Sequence, residues 1–127
     1  MSDRFKQGDA TRTRTLGEAH VARSKTTRDG FNGPFLDLLT ESAWGHVWSS
    51  DAIPPRQRSM VTLALLAGLG NWEEFELHLR ATANTGCTRD DIREVLMHVA
   101  IYAGVPRANH GFKIAREILD QMEKSHD

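Results

Sequence analysis

The sequence predicts an all-α protein of about six helices, and three observations carry that expectation. Apolar residues recur at helical spacing, most cleanly at Ile92, Val95, Leu96 and Val99, which follow the i, i+3, i+4, i+7 rule. Prolines and several glycines punctuate the chain between periodic segments, and no internal repeat or low-complexity tract breaks this order. Helix-end signals stand where the periodicity stops: Gly86 suits a C-cap, and Thr88 offers an N-cap hydroxyl followed by Asp90 and Asp91 in a first turn.

Taken in order, Asp9 to Thr27 mixes charges with Leu16, Ala19 and Val21, which predicts a weakly amphipathic helix leaning on the body or on a neighbouring subunit. Phe31-Asn32-Gly33-Pro34 is a turn signal, with Pro34 placed to start a helix that carries Phe35, Leu38 and Leu39 and ends across Trp44-Gly45-His46-Val47-Trp48. Pro54 and Pro55 forbid continuation. From Pro55 or Arg56 a helix runs to Leu69, apolar on nearly every face between Met60 and Ala67, as expected of a helix surrounded by protein. Gly70-Asn71 closes it. Trp72 to Thr85 forms the next helix, ended by Gly86. The helix after Thr88 is interrupted at Gly104-Val105-Pro106, and Ala108, Phe112, Ala115, Ile118, Leu119 and Met122 mark a final amphipathic helix, so these last two form a helical hairpin.

A chain of 127 residues with 39% hydrophobic residues is the size of one domain. We expect a single domain over 1–127, with an N-terminal arm or helix over 1–30 and a helical core over 31–127. Sixteen Lys and Arg against seventeen Asp and Glu leave no basic excess, which argues against a nucleic-acid partner. The apolar run from Met60 to Leu69 is about half of the roughly 20 residues that span a bilayer, so no membrane partner is expected. Met1-Ser2-Asp3-Arg4-Phe5-Lys6 has no apolar h-region and predicts a cytoplasmic protein. Cys87 stands alone, which removes an intramolecular disulfide, a CxxC pair and a Cys-rich zinc site.

Several words of the sequence, in order along nearly the whole chain, are similar to the carboxymuconolactone decarboxylase family within the AhpD-like superfamily. They are Leu16-Gly17-Glu18-Ala19-His20-Val21, Phe31-Asn32-Gly33, Ala43-Trp44-Gly45 with Trp48, Arg58-Ser59, His78-Leu79-Arg80-Ala81, and Ala100-Ile101-Tyr102-Ala103-Gly104-Val105-Pro106 with Ala108-Asn109-His110. The resemblance implies an AhpD-like helical bundle with a central helical hairpin. Redox relatives carry Cys-x-x-Cys-x-x-x-His; here Ala103, Pro106 and His110 hold that spacing. Without an attacking and a resolving thiol the peroxidase relay is chemically excluded.

What the resemblance implies instead is loss of carbon dioxide from 4-carboxymuconolactone, giving 3-oxoadipate enol-lactone in protocatechuate degradation by the β-ketoadipate pathway. The electron pair released with the carboxylate flows through the ring double bond into the lactone carbonyl, so the substrate is its own electron sink. No cofactor and no metal is then expected. The protein has to grip two carboxylates, stabilise an oxyanion and deliver a proton. Arg grips carboxylates with two parallel bonds, and His titrates near neutrality.

His78, His110 and Glu94 are the catalytic candidates; Arg80, Arg58, Trp44, Trp48 and His46 are the substrate-binding ones. His78 interrupts the apolar pattern of its helix and suits a general acid or oxyanion donor; its alternative is a surface His partnered by Glu74. Arg80 lies about 200° round the helix from His78, so the two share a site only if another chain encloses it; otherwise Arg80 pairs with Glu76. His110 stands where the redox relatives place their catalytic His, beside Asn109, and its alternative is a satisfied helix-start histidine. Glu94 and His98 are an i, i+4 pair; Glu94 suits a proton relay, while two residues make no metal site. Trp44 and Trp48 are either a substrate wall or an apolar anchor between subunits, and Arg58 either grips the acetate arm or is a solvated helix-start arginine. His20 and His126 have no local support for a role.

The expected partner is a small dicarboxylate lactone. The resemblance implies a homotrimer or homohexamer, and the two tryptophans and the apolar helix agree with association, because they exceed what a thin helical layer covers. The competing readings are a non-redox relative acting on another small lactone or keto acid, and a non-catalytic oligomeric module.

Overall fold

The computed structural model describes residues 2–125; Met1, His126 and Asp127 lie outside them, and so does the sequence reading of His126. Among the described residues there are helices and connecting turns and no strand. They form two compact units, divided after Pro54.

In the first unit, α1 (Asp3–Leu16) begins at Ser2, whose hydroxyl accepts from the Phe5 amide at 3.0 Å. The single helix expected over Asp9 to Thr27 is two helices. Gly17, at φ +93°, turns the chain through a conformation that disfavours other residues, and α2 (Glu18–Lys25) starts immediately after it. Asp29 and Asn32 shape the following turn: Asp29 Oδ1 accepts from the amides of Phe31 and Asn32, and Asn32 Oδ1 accepts from that of Asp29. Pro34 then sits in the first turn of α3 (Gly33–Leu39), as the sequence predicts.

From Thr40 to Trp48 the helix continues with π geometry, in which hydrogen bonds close over five residues instead of four. This segment packs closely on α1. A Cβ at Gly8 would collide with the Thr40 carbonyl oxygen and lie 2.8 Å from the Gly45 amide, so the two backbones touch where glycines face each other. Arg4 donates to the Gly45 carbonyl at 3.0 Å, and Ser49 donates to the Trp44 carbonyl at 2.6 Å while its hydroxyl meets Thr11 at 2.7 Å. These bonds engage carbonyls of the widened turn.

In the second unit, α4 (Pro55–Leu69) and α5 (Trp72–Thr85) form one hairpin, and α6 (Arg89–Tyr102) and α7 (Val105–Ser125) a second. Gly70, at φ +77°, and Asn71 close α4 by donating to Ala67 and Leu66. Gly86 closes α5 in the left-handed conformation. Thr88 opens α6 with a reciprocal cap: its hydroxyl accepts from the Asp91 amide, and the Asp91 carboxylate accepts from the Thr88 amide. Leu63, Ala67, Phe75, Leu79, Ile92, Val95, Leu96, Val99 and Ile118 make the core. Gly111 lets α7 approach closely, because a Cβ there would stand 2.7 Å from the Leu96 side chain.

The sequence expects protein around α4, from neighbouring subunits as well as from its own chain. Leu63 and Ala67 are fully buried, but Val61, Leu65 and Leu69 are 54%, 59% and 67% exposed. Residues four apart share a face, so the helix carries two apolar stripes on opposite sides, and the chain covers one of them.

Candidate active site

His78 lies on the inner face of α5 between buried Phe75, Leu79 and Thr82, and is only 9% exposed. At that burial His78 is not a surface histidine. A polar ring so placed has to be satisfied by hydrogen bonding. Arg80 is on the outer face and donates to Gln121 of α7 at 2.9 Å. The structure therefore does not bring His78 and Arg80 together on one face. Among the described residues no ion pair joins Arg80 to Glu76.

His110 is exposed near the start of α7, its ring centroid 4.6 Å from that of Trp72 with the planes at 66°. Trp72 in turn meets buried Phe75 edge to face at 5.5 Å. An aromatic chain thus runs from the core of the unit to the His110 imidazole, giving that ring a firm backing. Glu94 and His98 are both exposed on α6; the Glu94 carboxylate lies 3.8 Å from Arg93, and His98 stacks on Tyr102 at 5.0 Å. Arg58 is half-buried in the first turn of α4.

The remaining candidates belong to the π segment of the first unit. Trp44 is buried and Trp48 half-buried, their ring centroids 5.2 Å apart, and His46 is exposed. Trp44 also lines a cavity of about 670 Å³ in that unit, together with Phe5, Leu36, Arg12 and the Arg28–Asp37 ion pair. A groove of about 470 Å³ on α6 and α7 is lined by Arg89, Arg93, Phe112 and Arg116. None of the other candidates lines either hollow.

Asp91 is a residue that sequence reasoning used only as a helix cap. Its carboxylate also receives both arms of Arg56, Nε at 2.7 Å and Nη2 at 2.6 Å. The Arg56 guanidinium, followed by the Thr88 amide, holds this carboxyl well below the usual carboxylate range. Cys87 is buried beside this pair, and burial first, then the Asp91 charge, pushes its thiol up to about 11. A thiol so placed is a poor nucleophile at neutral pH. No group of three or more His, Cys, Asp or Glu among the described residues is arranged to hold a metal ion.

The chain belongs to the carboxymuconolactone decarboxylase family, whose model matches residues 33–117 and so takes in every candidate residue named above. It is 41% identical over 119 residues to the 4-carboxymuconolactone decarboxylase of Acinetobacter baylyi, covering 94% of this chain and 89% of that protein. It is 34% identical over 118 residues to the nitrosuccinic acid decarboxylase of Metarhizium robertsii, covering 93% and 82%.

Proposed function

We propose that this protein is a carboxy-lyase that converts 4-carboxymuconolactone to 3-oxoadipate enol-lactone without a cofactor. The observation that supports it most is 41% identity, across nearly the whole of both chains, to a decarboxylase of that lactone. The C–CO2 bond breaks, its electron pair passes through the ring double bond onto the lactone carbonyl oxygen, and the dienolate so formed is then protonated on carbon. The second relative fits the same logic: a carboxylate lost next to a nitro group leaves its electron pair on the nitro oxygens. Neither reaction needs a bound electron sink, so the protein's work is holding, desolvating and protonating.

In this reading the buried His78 donates a hydrogen bond to the developing oxyanion, and its dry surroundings strengthen that bond. His110, backed by Trp72, delivers the proton, with Glu94 as relay. Arg58 grips one carboxylate, and Arg80, on the face of α5 opposite His78, grips the second in the site of a neighbouring chain; Trp44, Trp48 and His46 anchor a neighbouring chain or wall its substrate. The proposal includes one functional domain working as a cytoplasmic homotrimer or homohexamer in protocatechuate breakdown. The uncovered stripe Val61, Leu65 and Leu69 supports association, because it is a continuous apolar face on a polar chain. Among the described residues no helix is long and apolar enough to cross a membrane.

Metal-stripped protein is to be offered 4-carboxymuconolactone and nitrosuccinate in parallel, with released carbon dioxide measured. Turnover of the lactone in preference supports the proposal. Preference for nitrosuccinate would move the substrate to the nitro acid, and no release above the spontaneous rate from either would overturn it.

A further inference from the structure

An ion pair at Arg56 and a buried side chain at Ser59, three residues apart, mark the anchored side of the N-terminal end of α4. Arg56 meets Asp91 through the two short bonds described above, and Ser59, three residues on, is fully buried. Residues i and i+3 lie on one face, so both anchors draw the same side of the turn inward. Arg58 belongs to the same end of the helix, about 200° round it from Arg56 and about 100° from Ser59, and is half-buried.

The start of a helix is its least constrained turn. Its first amides have no partner within the helix, and Pro55 contributes no N–H at all. Asp91 can serve as the fixed point because its own place is set independently of α4. It is the third residue of α6, its Oδ2 accepts from the Thr88 amide at 2.9 Å, and its amide donates to the Thr88 hydroxyl at 3.1 Å. The carboxylate therefore offers Arg56 a rigid fork, and a bidentate guanidinium–carboxylate pair fixes orientation as well as distance.

We infer that Asp91 is a positioning residue for the decarboxylation: through Arg56 it fixes the helical turn from which Arg58 grips a carboxylate of the substrate. The inference rests on the role given to Arg58 under the proposed function. A substrate with two carboxylates demands cations at a set separation, and a displacement of an ångström is enough to weaken the grip.

Two variants separate positioning from mere stability. Arg56→Gln removes the clamp and leaves the Thr88–Asp91 cap, whereas Thr88→Ala removes half of the cap and leaves the clamp. Thermal midpoint, kcat and KM for the lactone are measured for both, with Arg58→Ala as reference and Arg56→Lys as the conservative replacement. Arg56→Gln is expected to raise KM about tenfold, in the direction of Arg58→Ala, with kcat changed less than about twofold, because uniform binding is what is lost. Arg56→Lys recovers part of that loss. Thr88→Ala lowers the midpoint and leaves KM within about twofold of wild type.

Equal falls in midpoint for Arg56→Gln and Thr88→Ala with KM unchanged in both would overturn the inference, and so would an unchanged KM in Arg58→Ala. Absence of turnover by the wild type would strike the proposed reaction instead. The clamp is then read from the rise in midpoint on adding lactone, where a smaller rise in Arg56→Gln than in wild type supports it and an equal rise overturns it.

Discussion

The two units of this chain are held together by different means. In the second, residues 55–125, apolar side chains from four helices interlock around Phe75, Leu79, Ile92 and Leu96. In the first, residues 2–54, Val21 and Trp44 are the buried apolar side chains, and the closest packing is backbone on backbone at Gly8 and Gly45, fixed by bonds from Arg4, Thr11 and Ser49. One unit is stabilised by carbon that is present and the other by carbon that is absent. The same amount of added or deleted hydrocarbon should therefore have opposite consequences in the two.

The comparison breaks most visibly in the second unit. Leu79→Ala removes a fully buried side chain and is expected to cost about 2–5 kcal/mol in chemical denaturation. Gly8→Ala is the converse experiment in the first unit. One added methyl meets the Thr40 carbonyl and the Gly45 amide, and we expect about 1–3 kcal/mol of destabilisation, with loss of amide-exchange protection confined to residues 2–54. If Gly8→Ala stabilised the protein, as glycine removal from a helix ordinarily does, the backbone-contact account of the first unit would fail.

Smaller effects sharpen the picture of the second unit. Thr88→Ala should cost about 1 kcal/mol, the usual worth of an N-cap hydroxyl. Acid should act through Asp91. Its folded carboxyl ionises below the value of about 3.9 expected in the unfolded chain, so its contribution is complete above that value and fades as pH falls through the folded one. Stability curves of wild type and Arg56→Gln should accordingly differ at neutral pH and converge in strong acid. Cys87, buried and with its thiol raised to about 11, should react with a disulfide reagent at pH 8 far more slowly than a free thiol, and only unfolding should release it.

The same contrast explains what could be read from the sequence. The boundaries of α4 to α7 are legible because each segment that buries a stripe must repeat every 3.6 residues and must stop at a residue such as Gly70, Gly86 or Gly104. The first unit buries little carbon, so it leaves little periodicity. The break at Gly17 and the π turn from Thr40 to Trp48 were missed for that reason, since both depend on backbone conformation and on contacts between residues some forty apart.

The site divides similarly. His78 stands out as a polar residue within an apolar pattern, which left its burial and a place on the surface both open, and hydropathy alone does not say which of the two apolar stripes of α4 finds a partner. Thr88 and Asp91 announce a cap locally. The second bond of Asp91 spans 35 residues to Arg56 and has no local signature. Arg80 was correctly placed on the face opposite His78 by helix geometry, while its attachment to Gln121 belongs to the packing of α5 on α7.

The central claim is that this chain removes carbon dioxide with its own side chains, the buried His78 foremost. The most direct measurement is the steady-state rate of lactone decarboxylation by chelator-treated wild type and His78→Gln, with thermal midpoints taken alongside. The account predicts turnover by the wild type and a fall in kcat of about 10²–10⁴ in the variant, the range that a positioned acid or oxyanion donor supplies, with the fold retained. A folded His78→Gln protein that decarboxylates at the wild-type rate, or a wild type no faster than the spontaneous reaction, would contradict it.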